Sequence, residues 1–187
     1  MSDPGALDAA VAALRAGDAI VLPTDTVYGL AALPEFVDQL YALKGRPDSV
    51  PFAVLVESVD QARALVQLPA AAERVANAFW PGPLTLVLAR LDGQSTLGVR
   101  CPDHSFVRGL ARRVGALSTT SANRHGEVTP LTAVEAAAAL DGEVAVVLDG
   151  GPCHGVASTV VDGRDEMLTI LREGPISEEQ VRAAALR

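Results

Sequence analysis

The chain has 187 residues, 49% of them hydrophobic, 20% charged and 4% aromatic, with 15 basic against 23 acidic side chains for a formal net charge of −8. That length holds one domain or two small ones around a sizeable core and leaves no room for a second catalytic domain. Purely apolar stretches such as Val144 to Leu148 fall far short of the roughly 20 residues that cross a bilayer, and the negative balance argues against gripping nucleic acid mainly by counterion release, so a soluble globular protein with any cationic site strictly local is expected.

A helical stripe comes first, with Leu7, Val11 and Leu14 at helical spacing and Gly17 placed to end it. Ala19 to Leu22 then reads as a short buried strand that stops at Pro23 and feeds the polar segment Thr24 to Thr26. Phe36 to Leu43 is predicted helical, Phe52 to Val56 a strand, and Ala70 to Trp80 a helix stopped by Pro81, Gly82 and Pro83. Strands follow at Leu84 to Ala89 and Thr96 to Arg100, then a basic amphipathic helix between Phe106 and Val114. Ala116 to Thr119 is predicted as a strand, Leu131 to Leu140 as a helix and Val144 to Leu148 as a strand. Two more strands, Ser158 to Val161 and Leu168 to Leu171, precede a last helix that Ser177 and Gln180 cap reciprocally. Helices and strands alternate with no repeat, long linker or low-complexity tract, which predicts a single α/β domain with a mixed sheet.

Several chemistries lose their usual supports. The chain has no GxxxxGK[ST] loop, no GxGxxG after a strand, no HExxH and no GxSxG. Its three histidines have no metal-ligand spacing to one another or to Cys101 and Cys153, so no metal site is expected. The two cysteines fit neither a disulfide framework nor paired zinc knuckles, and the first residues lack the order of a signal peptide, which makes a cytoplasmic location the expectation.

Cations and hydroxyls at strand ends are more informative. Fourteen of the 15 basic residues are arginine; the one lysine, Lys44, stands in Lys44-Gly45-Arg46-Pro47. A point charge and a planar fork separated by one glycine can hold a polyphosphate from two directions, and equally they are cations favourable to a helix C-terminus. Thr24, Asp25, Thr26 and Tyr28 crowd a strand end, as does Ser118 to Asn123 before Gly126; each serves a ligand or an ordinary capped turn. Arg100 closes a predicted strand, where it can meet a carboxylate bidentately or form an edge ion pair.

In this order the pieces resemble the YrdC/TsaC family of L-threonylcarbamoyladenylate synthases. The blocks are Pro23 to Leu30, Tyr41 to Pro47, Phe79 to Leu88 (FWPGPLTLVL), Val99 to Pro102, Ser121 to Asn123, and Ser158 to Asp162 with Leu171 to Gly174. Lys44 with Arg46, and Ser121 with Asn123, look like that family's KxR and SxN signature. The resemblance implies a single YrdC-like domain over 1–187, strongest over 14–176, with a twisted mixed sheet flanked by helices and a concave cationic cavity. It implies a nucleotidyltransferase that joins L-threonine, bicarbonate and ATP, with Mg2+ accompanying the nucleotide, into threonylcarbamoyl-AMP and pyrophosphate. Downstream threonylcarbamoyl transferase proteins then carry the group to the tRNA adenosine beside the anticodon, and weak direct tRNA contact is compatible with this.

Carried over by position, the resemblance puts Thr26, Arg100, Thr119 and Ser158 on threonine. It puts Arg46, Val50, Thr96, Ser121, Asn123, Thr129 and Arg172 on ATP, and gives Lys44, Arg46 and Arg172 the catalytic charge. Three positions depart from the pattern: Leu55 where some relatives have histidine, Val50 where some have a polar residue, and Glu173 where proline often follows the arginine. The proton acceptor stays open between Asp25, Tyr28 and water. An RNA-binding or ribosome-maturation module is the alternative from another class, disfavoured by the net charge and the few aromatics.

Overall fold

The computed structural model describes residues 4–45, 52–124 and 126–187. Helix α1 (Pro4–Ala16) runs to Gly17, whose φ of 94° ends it, and β1 (Ile20–Leu22) follows as predicted. The reading above assigns no element to Gly29–Ala32; it is strand β2, buried throughout and too short and small-sided to show any alternation. A 3-10 turn at Pro34–Phe36 leads into α2 (Asp38–Lys44), then β3 (Ala53–Leu55). Short helix α3 (Val59–Arg63) was also not predicted; Ser58 caps it by accepting from the Gln61 N–H.

Helix α4 (Ala70–Phe79), β4 (Leu84–Ala89), β5 (Thr96–Arg100) and α5 (Ser105–Val114) stand where periodicity puts them. They are followed by β6 (Leu117–Ser121), α6 (Ala133–Ala138), β7 (Val146–Val147), β8 (Thr159–Asp162), β9 (Thr169–Arg172) and α7 (Glu178–Ala185). Helix α6 starts two residues later than expected because Thr132 and Glu135 form a second capping box. The expected box at Ser177 and Gln180 is present.

Among the described residues nine strands make one mixed sheet in the order β7-β1-β2-β6-β3-β5-β4-β8-β9. Paired residues share a face, and successive residues of a strand alternate between faces. One face carries Val21 and Leu30 against Leu40 and Ala136 of α2 and α6; farther along, Leu84, Leu86, Leu88 and Val161 pack on Val75 of α4 and Val181 of α7. Each fully buried leucine here contributes about 1.5–3 kcal/mol. The other face is covered at one end only, where Ile20, Leu22, Leu55 and Leu117 meet Leu14 of α1 and Leu110 of α5.

Beyond that cover the second face lies open. Register places Ala53 beside Thr119 and Gly98, Gly29 beside Ser121, Val87 beside Gly98, Thr85 beside Val160, and Val160 beside Arg172. Apart from Arg172 at the edge, these side chains are small or hydroxylated, so the floor stays hollow. A Cβ on Gly29 would meet Thr119 Oγ1 at 3.1 Å, which larger residues there would turn into a clash.

Candidate functional site

The uncovered sheet face forms a recess of about 510 Å³, a volume usual for small-molecule sites. Its floor is Ala53, Thr85, Val87, Gly98 and Val160, and its walls are the ends of β5, β6 and β9 with the turns after β1 and before β8.

At one wall Arg100 is only 7% exposed. Its Nε donates to Gly82 O at 3.1 Å, Nη1 to Thr26 Oγ1 at 2.7 Å and Nη2 to Asp25 Oδ1 at 2.6 Å. Three of five guanidinium N–H groups are thereby engaged, and among the described residues one on each terminal nitrogen remains for a ligand. Burial pulls the Arg100 pKa below its ordinary value and Asp25 opposes this, so the fork stays charged at neutral pH. Thr26 is held by its own turn. Thr24 Oγ1 accepts from the Thr26 and Val27 N–H groups at 3.1 and 3.2 Å and donates to Val27 O at 2.7 Å.

On another wall Arg172, at the end of β9, donates through Nε and Nη2 to Ser158 O at 3.1 and 2.8 Å. Arg172 is exposed as a whole, but partial desolvation of its guanidinium lowers its pKa as well. Arg100 and Arg172 come from strands 72 positions apart in sequence, yet the Arg172 charge adds to the lowering of the Arg100 pKa. Thr119 Oγ1 donates to Leu30 O at 3.2 Å, which leaves its lone pairs to the recess.

Lys44 closes the third side. It ends α2 just before Gly45, whose φ of 57° is the left-handed conformation that glycine adopts without strain. The residue is 3% exposed, and its ammonium donates at 2.6 Å to both Ser121 O and Asn123 O. The Asn123 side chain in turn donates to Arg124 O and Glu127 O at 2.7 and 2.9 Å, closing the loop that carries Gly126 and Thr129 into the recess.

Every described residue singled out for substrate lines this one recess: Thr26, Lys44, Thr96, Arg100, Thr119, Ser121, Asn123, Thr129, Ser158 and Arg172. Arg46 and Val50 lie outside the described residues. Tyr28 does not line it; buried, its hydroxyl donates to Gly151 O at 2.8 Å and accepts from the Gly150 N–H, a structural engagement that removes it as a proton acceptor. Asp25 is held by Arg100. Leu55 lines the recess while packing into the core, and Glu173 is exposed beside Arg172. Burial pushes the Cys101 thiol up to about 11, which makes it a neutral core group. Sequence reasoning missed Thr85, whose position between the core leucines Leu84 and Leu86 on a strand was the available signal that it faces the other side.

A family model named Sua5_yciO_yrdC, described as "Telomere recombination", matches residues 12–174. The chain is 37% identical to the threonylcarbamoyl-AMP synthase of Bacillus subtilis (strain 168), over 97% of this chain and 57% of that protein. It is 38% identical to a putative threonylcarbamoyl-AMP synthase of Mycobacterium tuberculosis (strain CDC 1551 / Oshkosh), over 92% and 85%. Among solved structures, that of P. abyssi Sua5 complexed with L-threonine superposes with a TM-score of 0.88 at 32% identity, covering 95% of this chain and 56% of that one.

Proposed function

The chain belongs to the Sua5, YciO and YrdC family, and on that premise we propose that it joins L-threonine, bicarbonate and ATP into threonylcarbamoyl-AMP and pyrophosphate. The observation that carries this reading is the meeting of Arg100, Arg172 and Lys44, drawn from three distant segments, around one hydroxyl-lined recess. Relatives named for this synthesis, and a similar fold solved with L-threonine, support it.

The chemistry sets the problem. Threonine's amine and bicarbonate give a carbamate with loss of water, and this weak anionic nucleophile has to approach an anionic α-phosphate. A carbamate oxygen bonds to that phosphorus as the bond to the β-phosphate oxygen breaks, and the electron pair leaves with pyrophosphate. Arg100 holds the threonine carboxylate with its two remaining N–H groups, beside Thr26, Thr119 and Ser158. Arg172 and Lys44 supply fixed positive charge near the phosphates. Arg46, following the turn at Gly45, joins them, and Val50, Thr96, Ser121, Asn123 and Thr129 contact the nucleotide. Positioning and electrostatic stabilisation suffice for such a transfer, with no protein nucleophile. The cationic cavity is part of this proposal.

Magnesium enters on the substrate. There it would be carried by the ATP phosphates and would screen their charge. Among the described residues no helix is long and apolar enough to cross a membrane. The product is an activated acyl group, so a group transferase is the class of partner that consumes it, and the family resemblance makes tRNA its acceptor.

Pyrophosphate release tests the reading. Rapid release is expected only with Mg–ATP, L-threonine and bicarbonate together; release that persists without threonine marks plain ATP hydrolysis and overturns it. In the same assay serine, lacking one methyl, is expected to lose about 10–200-fold in kcat/KM, and valine, lacking the hydroxyl, to lose more. Comparable use of valine would show that nothing in the recess recognises the hydroxyl.

A further inference from the structure

The FWPGPLTLVL block ends in a strand whose one inward hydroxyl, Thr85, has no part in the assignments above. Thr85 is 7% exposed and lines the recess floor. Its Oγ1 lies 2.8 Å from Ser158 Oγ, itself on a residue 6% exposed, and among the described residues this is its side-chain hydrogen bond. Arg172 Nη2 lies 3.3 Å from the same Ser158 oxygen.

We propose that Thr85 is a positioning residue: through its hydrogen bond to Ser158 it aims the Ser158 hydroxyl proton at the carboxylate of the amino-acid substrate. The inference rests on the proposed function and deepens it. A serine hydroxyl has two acceptor lone pairs and one proton. Arg172 can only donate, so it occupies one lone pair. When Thr85 donates to the other, both are filled and the Ser158 proton has the recess as its direction. The reverse arrangement, with Ser158 donating to Thr85, turns a Ser158 lone pair toward the ligand, which repels an anion. A carboxylate bound beside Ser158 therefore selects the first arrangement.

The backbone beneath is already fixed. Ser158 O accepts from Arg172 Nε and Nη2, and the next residue's N–H, of Thr159, donates to Pro83 O at 2.9 Å. Gly174 packs so closely that an added Cβ would lie 2.5 Å from the Thr159 nitrogen. With the main chain held by these contacts, the main remaining freedom of Ser158 is rotation of its side chain and hydroxyl, which is what Thr85 restricts. A ligand then meets a donor already oriented, without the ordering cost of a free rotor.

The test is kinetic. Thr85→Val removes the hydroxyl at nearly constant volume and Thr85→Ser keeps it. In the pyrophosphate-release assay, Thr85→Val is expected to raise KM for L-threonine about five- to tenfold while KM for ATP stays within about twofold, and Thr85→Ser to restore the threonine value. In a Ser158→Ala background Thr85→Val should add nothing, since its only route to substrate is gone. Thr85→Ala repeats the test if the valine variant does not fold, as judged by thermal melting. An unchanged threonine KM, failure of Thr85→Ser to restore it, a parallel rise in both KM values, or an undiminished effect without Ser158 each overturns the inference and leaves the function standing. A wild-type protein that releases no pyrophosphate in response to threonine overturns the function, and the inference with it.

Discussion

Replacing Arg100 with alanine is expected to lower kcat/KM for L-threonine by about a hundredfold or more while KM for ATP moves less than about threefold. The size follows from what the side chain leaves behind. Arg100 is buried and holds Asp25 Oδ1 at 2.6 Å and Thr26 Oγ1 at 2.7 Å. Without it the proposed carboxylate site loses its cation, and the Asp25 carboxylate behind it is left unpaired near an incoming anion. Folding stability should fall by about 3 kcal/mol, because a buried pair has been broken from one side. Adding Asp25→Asn to the alanine variant removes the residual repulsion and is expected to recover part of both losses. Arg100→Lys keeps the charge but has three rotatable donors in place of a rigid five-donor fork, so it cannot hold Gly82, Thr26, Asp25 and a carboxylate together and should fall between the two. Separate titrations of threonine and ATP check this; an unaltered response to threonine in Arg100→Ala would remove the residue from the site.

Much of this was legible in one sequence where the signal is local. Leu84–Ala89 and Thr96–Arg100 have the bounds that periodicity assigns them, since each is a run of apolar or branched residues with punctuation on both sides. The cap on α7 is written in four consecutive residues. What escaped depends on partners far along the chain. Strand β2 is Gly-Leu-Ala-Ala, four residues with no strand pattern of their own, and it exists because β1 and β6 supply pairing on both sides. The site shows the same division. Cations and hydroxyls at strand ends mark the recess, and the match to a family arranges them, but their bonds are tertiary. No local pattern announces that Asp25 neutralises Arg100, 75 positions on, or that Tyr28 turns away toward Gly151. The RNA-binding alternative meets a related fact: on the basic helix α5, Arg112 and Arg113 are ion-paired with Glu57 and Asp8, which leaves that face less able to bind phosphate than its sequence suggests.

The second large effect is expected at Lys44, where local sequence offers two readings, a phosphate ligand or a helix-end cation. Its ammonium donates at 2.6 Å to the carbonyls of Ser121 and Asn123, so it fastens the end of α2 to the loop after β6. Lys44→Met fills similar space without a donor and strands two carbonyls in a place that water scarcely reaches. At about 1–3 kcal/mol for each unmet group, less what relaxation recovers, a loss of about 2–4 kcal/mol is expected. For a chain of this length that lowers Tm by about 5–10 °C. Activity should fall further than stability, by about a hundredfold in kcat/KM for ATP, because Asn123 and Thr129 ride on the released loop that starts after Ser121 and the positive charge proposed to lie near the phosphates goes with it. Threonine, which the proposed function assigns to Arg100 rather than to this loop, should be affected less. Lys44→Arg separates the two contributions: it preserves charge, but a planar fork cannot replace a compact ammonium directed at two carbonyls 2.6 Å away. If positioning of the loop dominates, the arginine variant loses nearly as much ATP use as methionine; if charge dominates, it keeps most of it. A methionine variant that melts like wild type and uses ATP unchanged would mean that Asn123 closes the loop unaided through its bonds to Arg124 and Glu127.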